Sequence, residues 1–210
     1  MFKKFCNFYK ANQMTQAYNN DFETKLRDLL QKSIGALDFI KSFQGNTFLN
    51  GLYRIHNIQD IDKWNDIICE AFPEYHNEIL CFGYDWLGRQ FAIDFSRIEN
   101  NEPQIVMFEP GTGQALEIPT SFLDFHENEI INFQEEALAV SFFNDWQKHN
   151  KIKLEHHQCI GYKKPLFLGG EDTIDNLEIS DIEVYWGICS QLINQTRNVP
   201  VGTRIKIDNN

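Results

Sequence analysis

Between Glu78 and Pro110 three short apolar runs follow one another with almost no chain between them, and no other feature restricts the fold so tightly. The runs are EILCFGYD, RQFAIDFSR and QIVMFEP, joined by Trp86-Leu87-Gly88 and then by the polar linker Glu99-Asn100-Asn101-Glu102. A parallel crossover needs a dozen or more residues, so strands this close in sequence must pair antiparallel. The alternating stretch TFLNGLYRIHN precedes them, with Gly51 at a bulge or turn position. ALEIP follows them after the turn Gly111-Thr112-Gly113.

Helical patterns flank this meander on both sides. Phe22, Leu26, Leu29 and Leu30 share one helical face behind Asp21, a capping residue. Ile61, Trp64, Ile67, Ile68 and Phe72 form another between Asp60 and Pro73. Pro119 opens a helical region, and a longer helix is expected from about Phe133 to His149. A last helix buries Ile182, Tyr185, Cys189, Leu192 and Ile193, and VGTRIKIDNN can add an edge strand. Ser121 and Ser180 precede helices as caps. The order predicts an α+β fold: a central antiparallel sheet of short strands, covered on one face, with helices packed at both chain ends. Residues 1–20 read as a flexible N-terminal tail, or as a short helix that docks late.

Composition excludes several functions. A formal net charge of −11 opposes phosphate contacts and suits a basic partner, with neither nucleic acid nor a membrane as a direct one. Five scattered cysteines, never in a Cys-x-x-Cys pair, read as free thiols in a reducing compartment. No apolar run follows Lys3-Lys4, and no stretch reaches membrane-spanning length, so a cytoplasmic protein is expected.

The densest motif is GYKKPLFLGGEDTIDNLEISDIEVYWGICSQL, Gly161 to Leu192. Its Gly169-Gly170 lacks the Gly-Lys-Ser/Thr ending of a phosphate loop, and its acids miss the register of a calcium loop. Glu171, Asp172 and Asp175 instead form an acidic loop that suits a basic partner; Trp86, beside its own turn, reads either as an aromatic anchor of that contact or as core. His156, His157 and Cys159 are the best metal-ligand types, but neighbours on a strand point to opposite faces. Asp85, Asp94 and Glu109 lie on or beside strands, where carboxylates normally end as solvated edges. Neither a nucleophile elbow nor an obvious cofactor site is present, so no enzyme activity and no cofactor is expected.

Gly161, Tyr162, Pro165, Leu166, Leu168, Gly169, Gly170, Asp172, Asn176, Leu177, Asp181, Tyr185 and Trp186 match a pattern. Through them the chain resembles the C-terminal domain of type VI secretion immunity proteins, which protect a bacterium from its own DNase toxin. GLYRIHNIQDIDKW and FGYDWLGRQFAID are similar to the GAD-like domain that precedes it, and the architecture distantly resembles SUKH-type immunity proteins. The resemblance implies a GAD-like half over residues 21–130 and an immunity-protein half over residues 131–210, closely joined. It further implies an antitoxin that binds a cognate, basic nuclease effector. The alternatives are a metal- or small-molecule-binding module using His156, His157 and Cys159, or an intracellular scaffold or regulator of the same fold.

Overall fold

The computed structural model describes residues 1–11, 24–200 and 203. Six strands form one antiparallel sheet in sequence order: β1 (Thr47–Phe48), β2 (Tyr53–Ile55), β3 (Ile79–Asp85), β4 (Gln90–Glu99), β5 (Glu102–Glu109) and β6 (Gln114–Ser121). The meander is thus as its short connections require. TFLNGLYRIHN is not one strand: Leu49–Gly51 makes a tight turn, and β1 pairs with β2 as a hairpin. Pro119 lies in edge strand β6, where the register shifts, so the helix opens only at Phe122. An edge strand tolerates a residue without an N–H.

Helices cover both faces of this sheet, not one. On the first face lie α1 (Lys3–Tyr9), α2 (Thr24–Leu30), α3 (Ala36–Phe43) and the run α5 (Phe122–Asp124), α6 (Ile130–Asn132), α7 (Gln134–Leu138) and α8 (Val140–Asn150). On the second lie α4 (Ile61–Ala71) and α9 (Ile182–Thr196). Alternation along β5 shows both layers, with Ile105 and Met107 in the first core, Val106 and Phe108 in the second. A second sheet pairs β7 (Gln158–Tyr162) with β8 (Leu177–Asp181).

Residues 1–11 are not a loose tail. Phe2, Phe5 and Tyr9 are buried, and Glu127 accepts the backbone N–H groups of Lys4 and Phe5 at the start of α1. Tyr9 donates to Ile130 O at 2.6 Å. Residues 12–20, the Asp21 cap, Phe22 and nearly all of the expected C-terminal strand lie outside the described residues.

The turn from Asp85 to Arg89 holds the layers together. Asp85 accepts from the backbone of Leu87 and Arg89, and from Arg89 Nε at 2.6 Å, all out of water. Burial raises the Asp85 carboxyl, while the Arg89 guanidinium pulls it back. Arg89 also donates to Ala137 O, Trp86 Nε1 to Leu138 O, and Trp186 Nε1 to Gly88 O. Ile160 N donates to Trp86 O at 2.7 Å. This arrangement explains why the expected helix from Phe133 to His149 is broken. Ala139 takes a left-handed φ of 49°, so helix bonding stops and the carbonyls of Ala137 and Leu138 are available to the turn.

Two further buried polar groups complete the frame. His126 sits among Phe2, Phe39 and Phe122; its Nδ1–H donates to Phe122 O, so Nε2 accepts from Tyr53. His56 stacks on both Trp64 and Tyr84, which also stack on each other, and donates from Nε2 to Gln90. Burial lowers both to about 3.

Replacing Asp85 by Ala leaves the Arg89 guanidinium buried without its counter-charge. The expected loss is about 3–5 kcal/mol in urea unfolding, several-fold more than for an exposed acid such as Glu178. The histidines give a pH dependence of known sign. Below the unfolded value near 6.5 only the unfolded chain takes up these two protons, so stability falls as pH drops towards about 3. Between pH 7 and 5 each buried histidine should remove about 2 kcal/mol, and His56→Gln should remove about half of the combined effect. A urea midpoint that stays flat over that range would contradict this assignment.

Candidate functional site

The Gly161–Leu192 motif folds as a strand, a hooked loop, a second strand and the first turns of α9. Asn176 clamps the loop. Its Nδ2 donates to Lys164 O and Glu171 O, both at 2.9 Å, and its Oδ1 accepts from Lys164 N at 3.0 Å. Gly170 is required because a Cβ there would run into the Lys164 carbonyl. Gly161 is required because a Cβ would stand 2.7 Å from the Tyr185 ring. The Pro165–Leu168 hook docks on the turn after β5, where Gly111 O accepts from Leu166 N at 2.8 Å. Tyr185 OH accepts from Tyr162 N at 3.1 Å.

The acidic loop divides between two roles. Glu171, Asp172 and Asp175 are all exposed, yet the Asp172 carboxylate accepts from Tyr162 OH at 2.6 Å and so anchors the loop to β7. The bond also helps push the Tyr162 phenol well above its ordinary range, after burial. Asp175 contributes its backbone carbonyl to Lys163 Nζ. Glu171 and Asp175 therefore keep outward-facing carboxylates, while Asp172 is partly committed to the fold.

Trp86 is not a surface anchor. It is completely buried, packed on Phe142, Phe143 and Trp146 with its indole N–H bonded. The turn residues beside it read like an exposed loop, but five elements converge on that loop. Asp85 and Asp94 are likewise buried rather than solvated: Asp85 pairs with Arg89, and Asp94 accepts from Ser96. Ser121 does cap α5, whereas the cap of α9 is Asp181 and not Ser180. Asp60 precedes α4 without a side-chain cap and instead bonds the Asn57 amide.

His156, His157 and Cys159 do not form a ligand set. His156 bonds Ile55 O, His157 is exposed and Cys159 is buried in the core. Among the described residues no group of three His, Cys, Asp or Glu side chains is placed to hold a metal ion. Burial raises the Cys6, Cys81 and Cys159 thiols, Cys69 to about 11 and Cys189 to about 12, so these sulfurs stay protonated and weakly nucleophilic near neutrality. A shallow cleft of about 500 Å³ opens beside the hook, floored by Phe72, Tyr75, Phe167 and Ile193 and rimmed by Glu74 and Arg197, which lie 3.8 Å apart. It offers an apolar seat with two charged rim groups.

Sequence reasoning missed Arg54, which joins the two sheets. Its guanidinium lies 4.4 Å over the Tyr84 ring and donates to the carbonyls of Asp85, Glu155 and Gln158. Burial lowers it. An arginine in a strand that alternates apolar and polar was the available signal.

A family model described as SMI1 / KNR4 family (SUKH-1) matches residues 12–128, more than half of the chain. The chain belongs to the SMI1/KNR4 (SUKH-1) family. Residues 119–193 match a second model, the C-terminal domain of T6SS immunity protein Tdi1, which takes in the whole hook and clamp. No curated protein matches the chain. A crystal structure of Atu4351 from Agrobacterium tumefaciens has the same fold, with a TM-score of 0.60, 15% identity, and coverage of 91% of this chain and 89% of that one.

Asn176→Ala removes three hydrogen bonds that close the loop, at a cost of about 1–3 kcal/mol. The loop should then become sensitive to proteolysis between Lys164 and Asn176, whereas Glu171→Gln should leave both stability and cleavage unchanged. Equal protease resistance of Asn176→Ala and the parent chain would remove the clamp from the description.

Proposed function

We propose that this chain is an immunity protein that binds a cognate secreted effector of nuclease type and blocks it without catalysis of its own. The observation that carries this reading is the match of residues 119–193 to the Tdi1 C-terminal model, joined to a SUKH-1 segment in one chain. Charge supports the class of partner. A net charge of −11 favours a cationic surface, which a nuclease needs in order to hold a phosphate backbone. Glu171 and Asp175 belong to the proposed contact through long-range attraction, and Asp172 only in part.

The site of action in this reading is the cytoplasm, where an immunity protein meets its effector. No described helix is long and apolar enough to cross a membrane.

Co-expression with a secreted nuclease-type effector encoded in an adjacent gene tests the reading. Growth rescue and a complex that co-purifies are expected; toxicity without rescue, or no complex, would overturn it. If charge steers the encounter, raising ionic strength from about 0.02 to 0.15 M should slow association by roughly tenfold or more while leaving dissociation nearly unchanged. An on-rate indifferent to salt would remove steering but leave the partner.

A further inference from the structure

We propose that the outward face of α9, centred on Val184 and Ile188, is the seat for a cationic protein surface that brings an apolar contact residue with it. The inference rests on the effector-binding reading above and says where that contact is made.

The helix is apolar on two sides. Ile182, Tyr185, Trp186, Cys189, Leu192 and Ile193 face the core. Val184 and Ile188, one turn apart on the opposite side, are 59% and 53% exposed. A surface helix normally carries polar residues there. Its neighbour α4 does so, with exposed Asp62, Asp66 and Glu70 spaced at helical intervals. Neither helix propensity nor core packing accounts for two β-branched residues on the solvent side of α9. Between them Gly187 presents no side chain, and a Cβ added there would meet nothing among the described residues within 4 Å. The first two turns of α9 thus expose an apolar patch with open space beside it.

The rim decides the kind of occupant. Glu178, Asp181 and Glu183 are exposed close by in sequence; Asp181 caps the helix through the N–H groups of Glu183 and Val184, and among the described residues the one ion pair to the three is Lys63 with Glu183 at 2.6 Å. From Gln158 to Thr196 the chain has six carboxylates and two lysines. A second copy of this chain, seated face to face about a twofold axis, would set these carboxylates against one another. A cationic partner would neutralise them while an apolar side chain covers Val184 and Ile188. An apolar centre inside a polar rim is the usual anatomy of a protein interface.

The test uses the full chain and a catalytically inactivated form of the effector encoded beside it, with affinity measured by biolayer interferometry. V184K/I188K should weaken binding by about 100-fold or more and V184A/I188A by about tenfold, both with melting temperatures close to the parent, since each site is exposed. If the lysine pair fails to fold, the alanine pair decides. Binding within about threefold of the parent for the folded variants would overturn the α9 surface while the immunity reading stands. Failure of the parent chain to bind the effector would remove both. A parent chain that is dimeric in sedimentation, and monomeric as V184K/I188K, would make a second copy the occupant and overturn the proposal.

Discussion

The buried pair between Asp85 and Arg89 is the interaction on which the rest of the structure depends. Two charges out of water are costly unless every polar atom is answered, and here the answers come from all around the turn. Asp85 takes two backbone N–H groups besides the guanidinium, and Arg89 hands a further hydrogen to the end of α7. These bonds hold the turn in one conformation. So held, it presents Trp86 and its own carbonyls at fixed positions, and those receive α7, β7 and α9.

Three consequences follow for the fold. The helix between Gln134 and Asn150 has to break at Ala139, since its last carbonyls serve the turn rather than the next helical turn. The sheet has to be covered on both faces, because Trp86 draws α8 to one side while Gly88 draws Trp186 of α9 to the other. Arg54 then finds carbonyls from both sheets around it and closes the seam between them. The hook and its Asn176 clamp are held one step further out, against Gly111 and the β5 turn.

The strand order and the buried faces of α4 and α9 were legible, because short connections and three- and four-residue apolar spacing are local signals. What escaped the sequence is non-local. Trp86 beside a glycine turn has the appearance of an exposed aromatic, and only the convergence of distant elements buries it. The one-face prediction failed for the same reason: β3 is buried at every position, which a short apolar run does not distinguish from half-burial. β8 is absent from the sequence expectation, since Leu177–Asp181 is a short alternating run placed directly before α9, yet it pairs with β7 along its whole length. The motif itself was recognised as a signature, but its acids turned out to be unequal, Asp172 serving the fold through Tyr162 and Glu171 remaining free for a partner. Val184 and Ile188 were passed over, since two apolar residues in an apolar helix give no hint of facing outward.

If the Asp85–Arg89 turn is the shared foundation, the SUKH-1 segment and the C-terminal segment cannot melt separately, and an effector bound to one is held by the stability of both. Differential scanning calorimetry of the intact chain tests this most directly. A single transition with a calorimetric enthalpy equal to the van't Hoff enthalpy is the expected result. Two resolved transitions, each with its own enthalpy, would contradict it.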